Sequence, residues 1–289
     1  MMPSRYDPAS GTYPDVDAHQ HFWPTGVRAP LPDSEALDRA FLPKDFDEAV
    51  RSTTVGATVL VQCTDNSAEN DRLARFAATA ARVRAVVCWL PPHNPSATRE
   101  ELERVREPGV PVAGARQGLR PLLDGDALTA ASELALRELA LRKLAWDVTV
   151  TSELHREIVL SVAGRIPELS IIINHLGRPP VDSRTWNPWA GQITSISRCP
   201  NVAIKISAGI DLLRSWAWHP AHLTSYVSHV VECFGPERCL LASNWPVSTL
   251  AGPYRTIWRE SGSLLKSAGL NQADLARVHG GSAREWYRF

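Results

Sequence analysis

Two histidines one residue apart, His19 and His21, follow Asp17 in the run VDAHQHF near residues 16–22. Side chains alternate along a strand, so Asp17, His19 and His21 are expected on one side. The two imidazoles could then converge on one metal ion or one substrate oxygen. A lone His-x-His pair is a weak signal; at the end of a strand that opens on a pocket it becomes a catalytic candidate. Other reactive residue types also end or lie within apolar runs: Gln62, Trp89, Arg116, Asp147, His175, Lys205 and Asn244. Arg116, inside a buried run, needs an anionic partner or must reach a pocket. That partner is a substrate carboxylate or lactone oxygen, or an internal acid such as Asp17 or Asp147. Lys205 invites the same argument, although its stem can carry the ammonium to solvent. His175 reads either as a core histidine bonded to a carbonyl or as a catalytic group at a rim. Arg178 reads as a loop ion pair or a substrate contact. Asn244 can orient water or substrate, but it cannot take a proton. Of ten tryptophans, Trp23, Trp89 and Trp245 fall at strand ends and are expected to wall the pocket.

The elements that would position these residues are short apolar runs alternating with helical patterns. The runs are 16–22, 56–63, 84–90, 111–119, 145–150, 169–176, 201–207 and 239–244. Each is bounded by Pro, Gly, Asn or Asp. Helical spacing marks 67–83, where Ser67 is the expected cap, then 126–144 and 152–167. It returns near 186–198, 220–234, 253–268 and 271–287. Eight continuous apolar strands, each followed by a helix or helical loop, have the rhythm of a parallel α/β fold buried on both faces. An open doubly wound sheet shares that rhythm. The count of eight and the lack of an early glycine-rich phosphate fingerprint favour a (β/α)8 TIM barrel. Residues 1–13 read as a loose N-terminal tail and 14–289 as one barrel domain. Active sites of this fold sit at the C-terminal ends of the strands, where the residues above lie.

Lysine plus arginine equals aspartate plus glutamate at 31 each, so no charge excess draws nucleic acid or an anionic membrane. No stretch approaches the apolar length of a membrane span, and the first residues lack the apolar segment of a secretory signal. Five cysteines without CxxC spacing, several inside apolar runs, suit reduced buried thiols and a cytoplasmic location. The expected partner is a small molecule; a homo-oligomer is compatible with the sequence.

VDAHQHFW, VLVQC, GARQGL, INHLGRPP, NVAIKIS and ERCLLASNWPV, in this order, resemble the amidohydrolase superfamily. Within it the resemblance is to the branch of L-fuconolactonases, L-rhamnonolactonases and pyrone-dicarboxylate lactonase. It spans residue 16 to about 247, and HGGSAREWYRF looks like the family's C-terminal helix. The resemblance implies a distorted (β/α)8 barrel and hydrolysis of a lactone, a carboxylic ester. His19, His21 and His175 match family histidines, and Arg116 matches an arginine that contacts substrate. Where the family usually has aspartate after the eighth strand, as metal ligand or base, this chain has Asn244. A neutral amide is not a general base and removes a negative ligand.

The leading expectation is therefore a lactonase acting on a sugar-acid or pyrone-type lactone. His19, His21, His175 and Asn244 form its catalytic set. Arg116, Lys205, Gln62, Trp89, Trp23, Arg178, Trp245 and Asp147 contact substrate. No cofactor is required as first choice; a divalent metal such as zinc, held by His19, His21 and His175, is the second. The alternatives are a non-hydrolytic enzyme of the same fold (decarboxylase, hydratase or dehydratase, cyclase or C–C lyase) and a non-catalytic binding barrel.

Overall fold

Each of the eight apolar runs is a strand in the computed structural model, which describes residues 14–27, 35–107, 109–181, 183, 185–208 and 220–289. The tail expected over 1–13 lies outside the described residues. The strands are β1 (Asp15–Gln20), β2 (Val55–Val61), β3 (Val83–Cys88), β4 (Val112–Gln117), β5 (Ala145–Val148), β6 (Ser170–Ile173), β7 (Val202–Ile206) and β8 (Cys239–Leu241). They pair in chain order, every pairing parallel. A doubly wound sheet reverses its strand order at a switch point; this one does not, so it is a barrel. The seam closes just beyond β8, where Asn244 N donates to His19 O at 2.9 Å and His21 N to Trp245 O at 2.8 Å.

The helices are α1 (Pro43–Val50), α2 (Ser67–Thr79), α3 (Pro95–Arg106), α4 (Ala130–Leu141), α5 (Glu153–Arg165), α6 (Trp189–Ser197), α7 (Thr224–Phe234), α8 (Tyr254–Ser267), α9 (Gln272–Ala276) and α10 (Ser282–Tyr287). The cap of α2 is Asn66, whose side chain accepts from Glu69 N, and not Ser67 as expected. Thr129 and Ser152 cap α4 and α5 by the same bond to Ser132 N and His155 N. Both α1 and α3, absent from the sequence reading, begin with proline, which fits the first turn because its missing N–H has no helical partner there. The helix expected over 271–287 is two helices joined by a π-helical turn, Arg277–Gly281. A side chain at Gly280 would meet Val16 N of β1 at 3.3 Å and the Arg284 guanidinium at 2.6 Å, so this turn lies flush on the barrel.

Apolar residues form two cores. The larger packs strands against helices, with Leu73, Leu102, Leu136 and Val159 fully buried. The smaller fills the barrel and is built largely of small side chains, Ala18, Ala57, Ala85, Ala145 and Ala203 among them. Small residues leave space at the barrel floor, and Ala283 and Tyr287 of α10 occupy it. Among the described residues no helix is long and apolar enough to cross a membrane.

Candidate active site

The register of β1 slips between Asp17 and Gln20. This separates two residues that simple alternation places together. The Asp17 carboxylate turns to the seam and the outer layer: it accepts from Ser243 N (2.9 Å), Ser243 Oγ (2.5 Å), His19 N (3.2 Å) and Tyr254 OH of α8 (3.0 Å). Burial pushes its pKa up to about 6 against those donors. His19 instead turns into the barrel, where its ring sits 4.8 Å from the rings of both His21 and His175. The expectation that Asp17 shares a side with the histidines is thus corrected.

Hydrogen-bond partners constrain the protons of this cluster. Lys205 Nζ lies 3.0 Å from His19 Nδ1 and 2.5 Å from Asp147 Oδ2. An ammonium only donates, so where Lys205 bonds the ring Nδ1 accepts and the proton of His19 sits on Nε2; Asn174 Oδ1, 3.2 Å from the same Nδ1, would draw the proton the other way. His19 Nε2 lies 3.1 Å from His21 Nε2, which accepts. His21 in turn donates from Nδ1 to the carbonyl of Val61 at 2.7 Å. The donors all run one way, from the buried ammonium through two imidazoles to a backbone carbonyl. Burial and the charges of Lys205, His175, His21 and Arg116 hold the pKa of His19 well below the usual histidine range.

His175 follows β6 in a turn of four successive left-handed residues, His175 (φ 55°), Leu176 (φ 53°), Gly177 (φ 65°) and Arg178 (φ 54°). Three of the four carry side chains that disfavour this region. A side chain at Gly177 would also meet Ile193 at 2.8 Å. The turn is held by Gly177 N to Asn174 O, by Arg178 N to His175 O, and by Arg156, which donates to Gly177 O. Strain of this kind persists where surrounding bonds over-determine a functional segment. His175 Nδ1 lies 2.8 Å from Ser207 Oγ, and among the described residues its Nε2 has no partner. Burial, then Arg116 and Lys205, lower its pKa well below the ordinary value, so the ring is neutral at pH 7.

Arg116 of β4 is half-buried. Its guanidinium donates to Gln62 O (3.3 Å) and Thr149 Oγ1 (3.4 Å), and among the described residues no carboxylate lies within ion-pair distance of it. Gln62 is spent on Asp65 and on the carbonyl of Arg116, so it braces this arginine. Asn244 takes the left-handed φ of 58°, which asparagine tolerates better than most, and gives its amide to Ala208 O at 2.9 Å. Arg178 is half-buried, and its charge acts on His175. Trp89 is half-buried at the end of β3, its backbone clamped by Asn70.

Four residues expected to touch substrate are buried, as His19 is. Lys205 and Asp147 are sealed beneath His19 with no exposed surface. Trp23 and Trp245 are buried: the Trp23 indole donates to Leu37 O and Arg39 O, and Trp245 packs on Phe22, Phe41 and Phe46. Large aromatic surfaces at a strand end were satisfied by core packing under the first loop. Conversely, Asn174, Ser207 and Tyr287 reach the cluster without having been expected there. Alternation from Lys205 points to Ser207, and Asn174 adjoins His175; nothing local marks Tyr287.

The donor set lacks the anionic ligand that a divalent cation favours. A metal shared by His19 and His21 needs lone pairs on both Nε2 atoms, which requires His19 Nδ1 to donate to Asn174 Oδ1 (3.2 Å) and to forgo the 3.0 Å bond from Lys205 Nζ. Asn244 contributes no negative charge. Among the described residues no three His, Cys, Asp or Glu side chains are arranged to hold a metal.

Residues 16–289 match the sequence profile of the family described as Amidohydrolase. This chain belongs to the amidohydrolase family. The amidohydrolase is 31% identical over 281 residues to an L-fucono-1,5-lactonase of Burkholderia ambifaria, covering 94% of this chain and 95% of the relative. It is 27% identical to an L-fucono-1,5-lactonase of Burkholderia multivorans, again over 94% and 95%. In fold it superposes with a TM-score of 0.86 on an amidohydrolase of Burkholderia multivorans crystallised with bound zinc, at 24% identity over 95% of this chain and 99% of that one. The family accounts for the barrel; this amidohydrolase is an enzyme of the hydrolase class.

Proposed function

We propose that this amidohydrolase hydrolyses a small, oxygen-rich lactone of the sugar-acid class, without a metal, using His175 as the base. The L-fucono-1,5-lactonase relatives support the substrate class. The observation that carries the mechanism is that His19 and His21 have both ring nitrogens engaged, whereas His175 keeps Nε2 unpartnered. For Nε2 to take a proton, Nδ1–H must donate to Ser207 Oγ, which lies at 2.8 Å.

The lactone carbonyl lies against the Arg116 guanidinium, and the Nε2–H of His19 turns from His21 Nε2 to the carbonyl oxygen when substrate enters. His175 Nε2 takes a proton from water as the water oxygen attacks the carbonyl carbon. The carbonyl oxygen becomes an oxyanion, and the two donors stabilise it as its charge grows. The ring C–O bond then breaks, and the proton on His175 passes to the leaving alkoxide, giving the open hydroxy acid. Asn244, its amide committed to Ala208 O, offers its oxygen to the attacking water. Arg116 suits this role because, among the described residues, its charge has no carboxylate at contact.

The test is a panel of aldonolactones and pyrone lactones assayed with purified wild-type protein and His175→Gln. Hydrolysis of a sugar lactone by the wild type, lost in the variant, is the expected result. No turnover on any lactone, or equal rates for the two proteins, overturns the reading.

A further inference from the structure

We propose that Tyr287, Asp147 and Lys205 form a positioning chain that decides which nitrogen of His19 carries its proton, and hence whether His19 can donate to the substrate. The inference rests on the reading of His19 as a donor given above.

His19 Nδ1 faces two competing partners. Lys205 Nζ lies at 3.0 Å and Asn174 Oδ1 at 3.2 Å. The amide of Asn174 is oriented by its own donation to Thr149 Oγ1, which leaves the oxygen toward His19. An ammonium can only donate and an amide oxygen can only accept. If Lys205 wins, the proton lies on Nε2, facing His21 and the pocket. If Asn174 wins, the proton lies on Nδ1, and the Nε2 atoms of His19 and His21 face each other bare at 3.1 Å. The catalytic donor is then gone. A charge-assisted bond is about twice as strong as a neutral one, so Lys205 prevails while it stays charged and in place.

Keeping it so is the work of the other two residues. A fully buried ammonium needs a hydrogen-bonded anion. Asp147 supplies one at 2.5 Å, and Tyr287 OH donates to both oxygens of Asp147, at 2.7 and 2.9 Å. Tyr287 also sets its ring 5.5 Å from Lys205 Nζ. All three residues are buried. Tyr287 thus acts on the reacting groups through Asp147, Lys205 and His19 without reaching the mouth itself.

The experiment uses Tyr287→Phe, which keeps the ring and deletes the hydroxyl. The paired variant Lys205→Met with Asp147→Asn removes the ammonium without stranding a buried carboxylate. Each is compared with wild type by thermal melting, by histidine-labelled 15N NMR and by lactone kinetics. Wild-type His19 should show a protonated Nε2 and a bare Nδ1. In the paired variant the two signals should exchange, with His19→Gln assigning them. Tyr287→Phe should shift them part-way and lower kcat about tenfold while KM stays nearly constant. An unchanged His19 signal in both folded variants overturns the inference, whatever happens to activity. A wild type that hydrolyses no lactone while the tautomer still switches overturns the functional reading and leaves this chain standing. If the paired variant does not fold, the Tyr287→Phe signals and kcat decide alone.

Discussion

The Nε2 atoms of His19 and His21 stand 3.1 Å apart, and in the tautomer that Lys205 favours one proton lies between them, directed from the first ring to the second. A metal in that gap would have to displace the proton and overcome the nearby Lys205 and Arg116 charges. Exhaustive dialysis against a chelator is therefore expected to leave kcat/KM unchanged within about twofold, and added zinc is expected not to raise it. Activity that disappears with the chelator and returns with zinc would show the mechanism to be wrong.

His175→Gln retains hydrogen bonding but cannot cycle a proton. It should lower kcat by roughly 10²–10⁴ with little effect on KM, as removal of a general base does. Ser207→Ala leaves the ring but frees its tautomer, so its loss should be smaller, about tenfold. Steady-state kinetics on the best lactone distinguish the two; an equal loss in both would argue that His175 serves only to shape the site.

Arg116→Met removes a half-buried cation that, among the described residues, has no carboxylate within ion-pair distance. The expected cost in kcat/KM is roughly 10²–10³, the scale of losing an oxyanion donor. Arg116→Lys should recover only part of this, because a point charge cannot hold Gln62 O, Thr149 Oγ1 and substrate in one plane. Full activity in the lysine variant would remove the geometric argument.

Acid should weaken the fold from near neutrality downward. His19 and His175 have pKa values held well below the ordinary 6.5 in the folded state. Below that value the unfolded chain gains protons that the folded one refuses. Stability is thus present above about pH 6.5 and falls by about 1.4 kcal/mol per pH unit for each such histidine. Asp17 acts in the opposite sense: its pKa is raised to about 6, so its share of stability is present below the unfolded value of 3.8 and is lost as pH rises to 6. Two histidines against one aspartate give a net fall between pH 6.5 and 5, read as a falling Tm. A Tm that rises over this interval would contradict the neutral-histidine assignment.

Much of the barrel could be read from sequence because its strands are buried on both faces and so form unbroken apolar runs. The run at 169–176 led straight to His175, and the one at 201–207 to Lys205. What escaped depends on one-residue irregularities and distant contacts. The slip in β1 sends Asp17 to Ser243 and Tyr254 while His19 goes inward, and no periodicity reveals a slip. The indole of Trp23 is equally suited to a pocket wall and to a core; only the carbonyls of Leu37 and Arg39 settle which. Tyr287 lies 140 residues from Asp147 in the chain, and its hydroxyl is silent until the fold brings them together.

That last contact has a consequence for how the enzyme is born. The catalytic mouth and the floor of the barrel are joined through Lys205, and the floor is finished by α10. A ribosome can emit β1 to β8, and the histidines can gather, before residue 287 has left the exit tunnel. Until it does, Asp147 lacks its hydroxyl partner and the small barrel residues lack the cover of α10. Competence would then lag behind collapse, because the Asp147–Tyr287 contact needs one of the last residues of the chain to emerge.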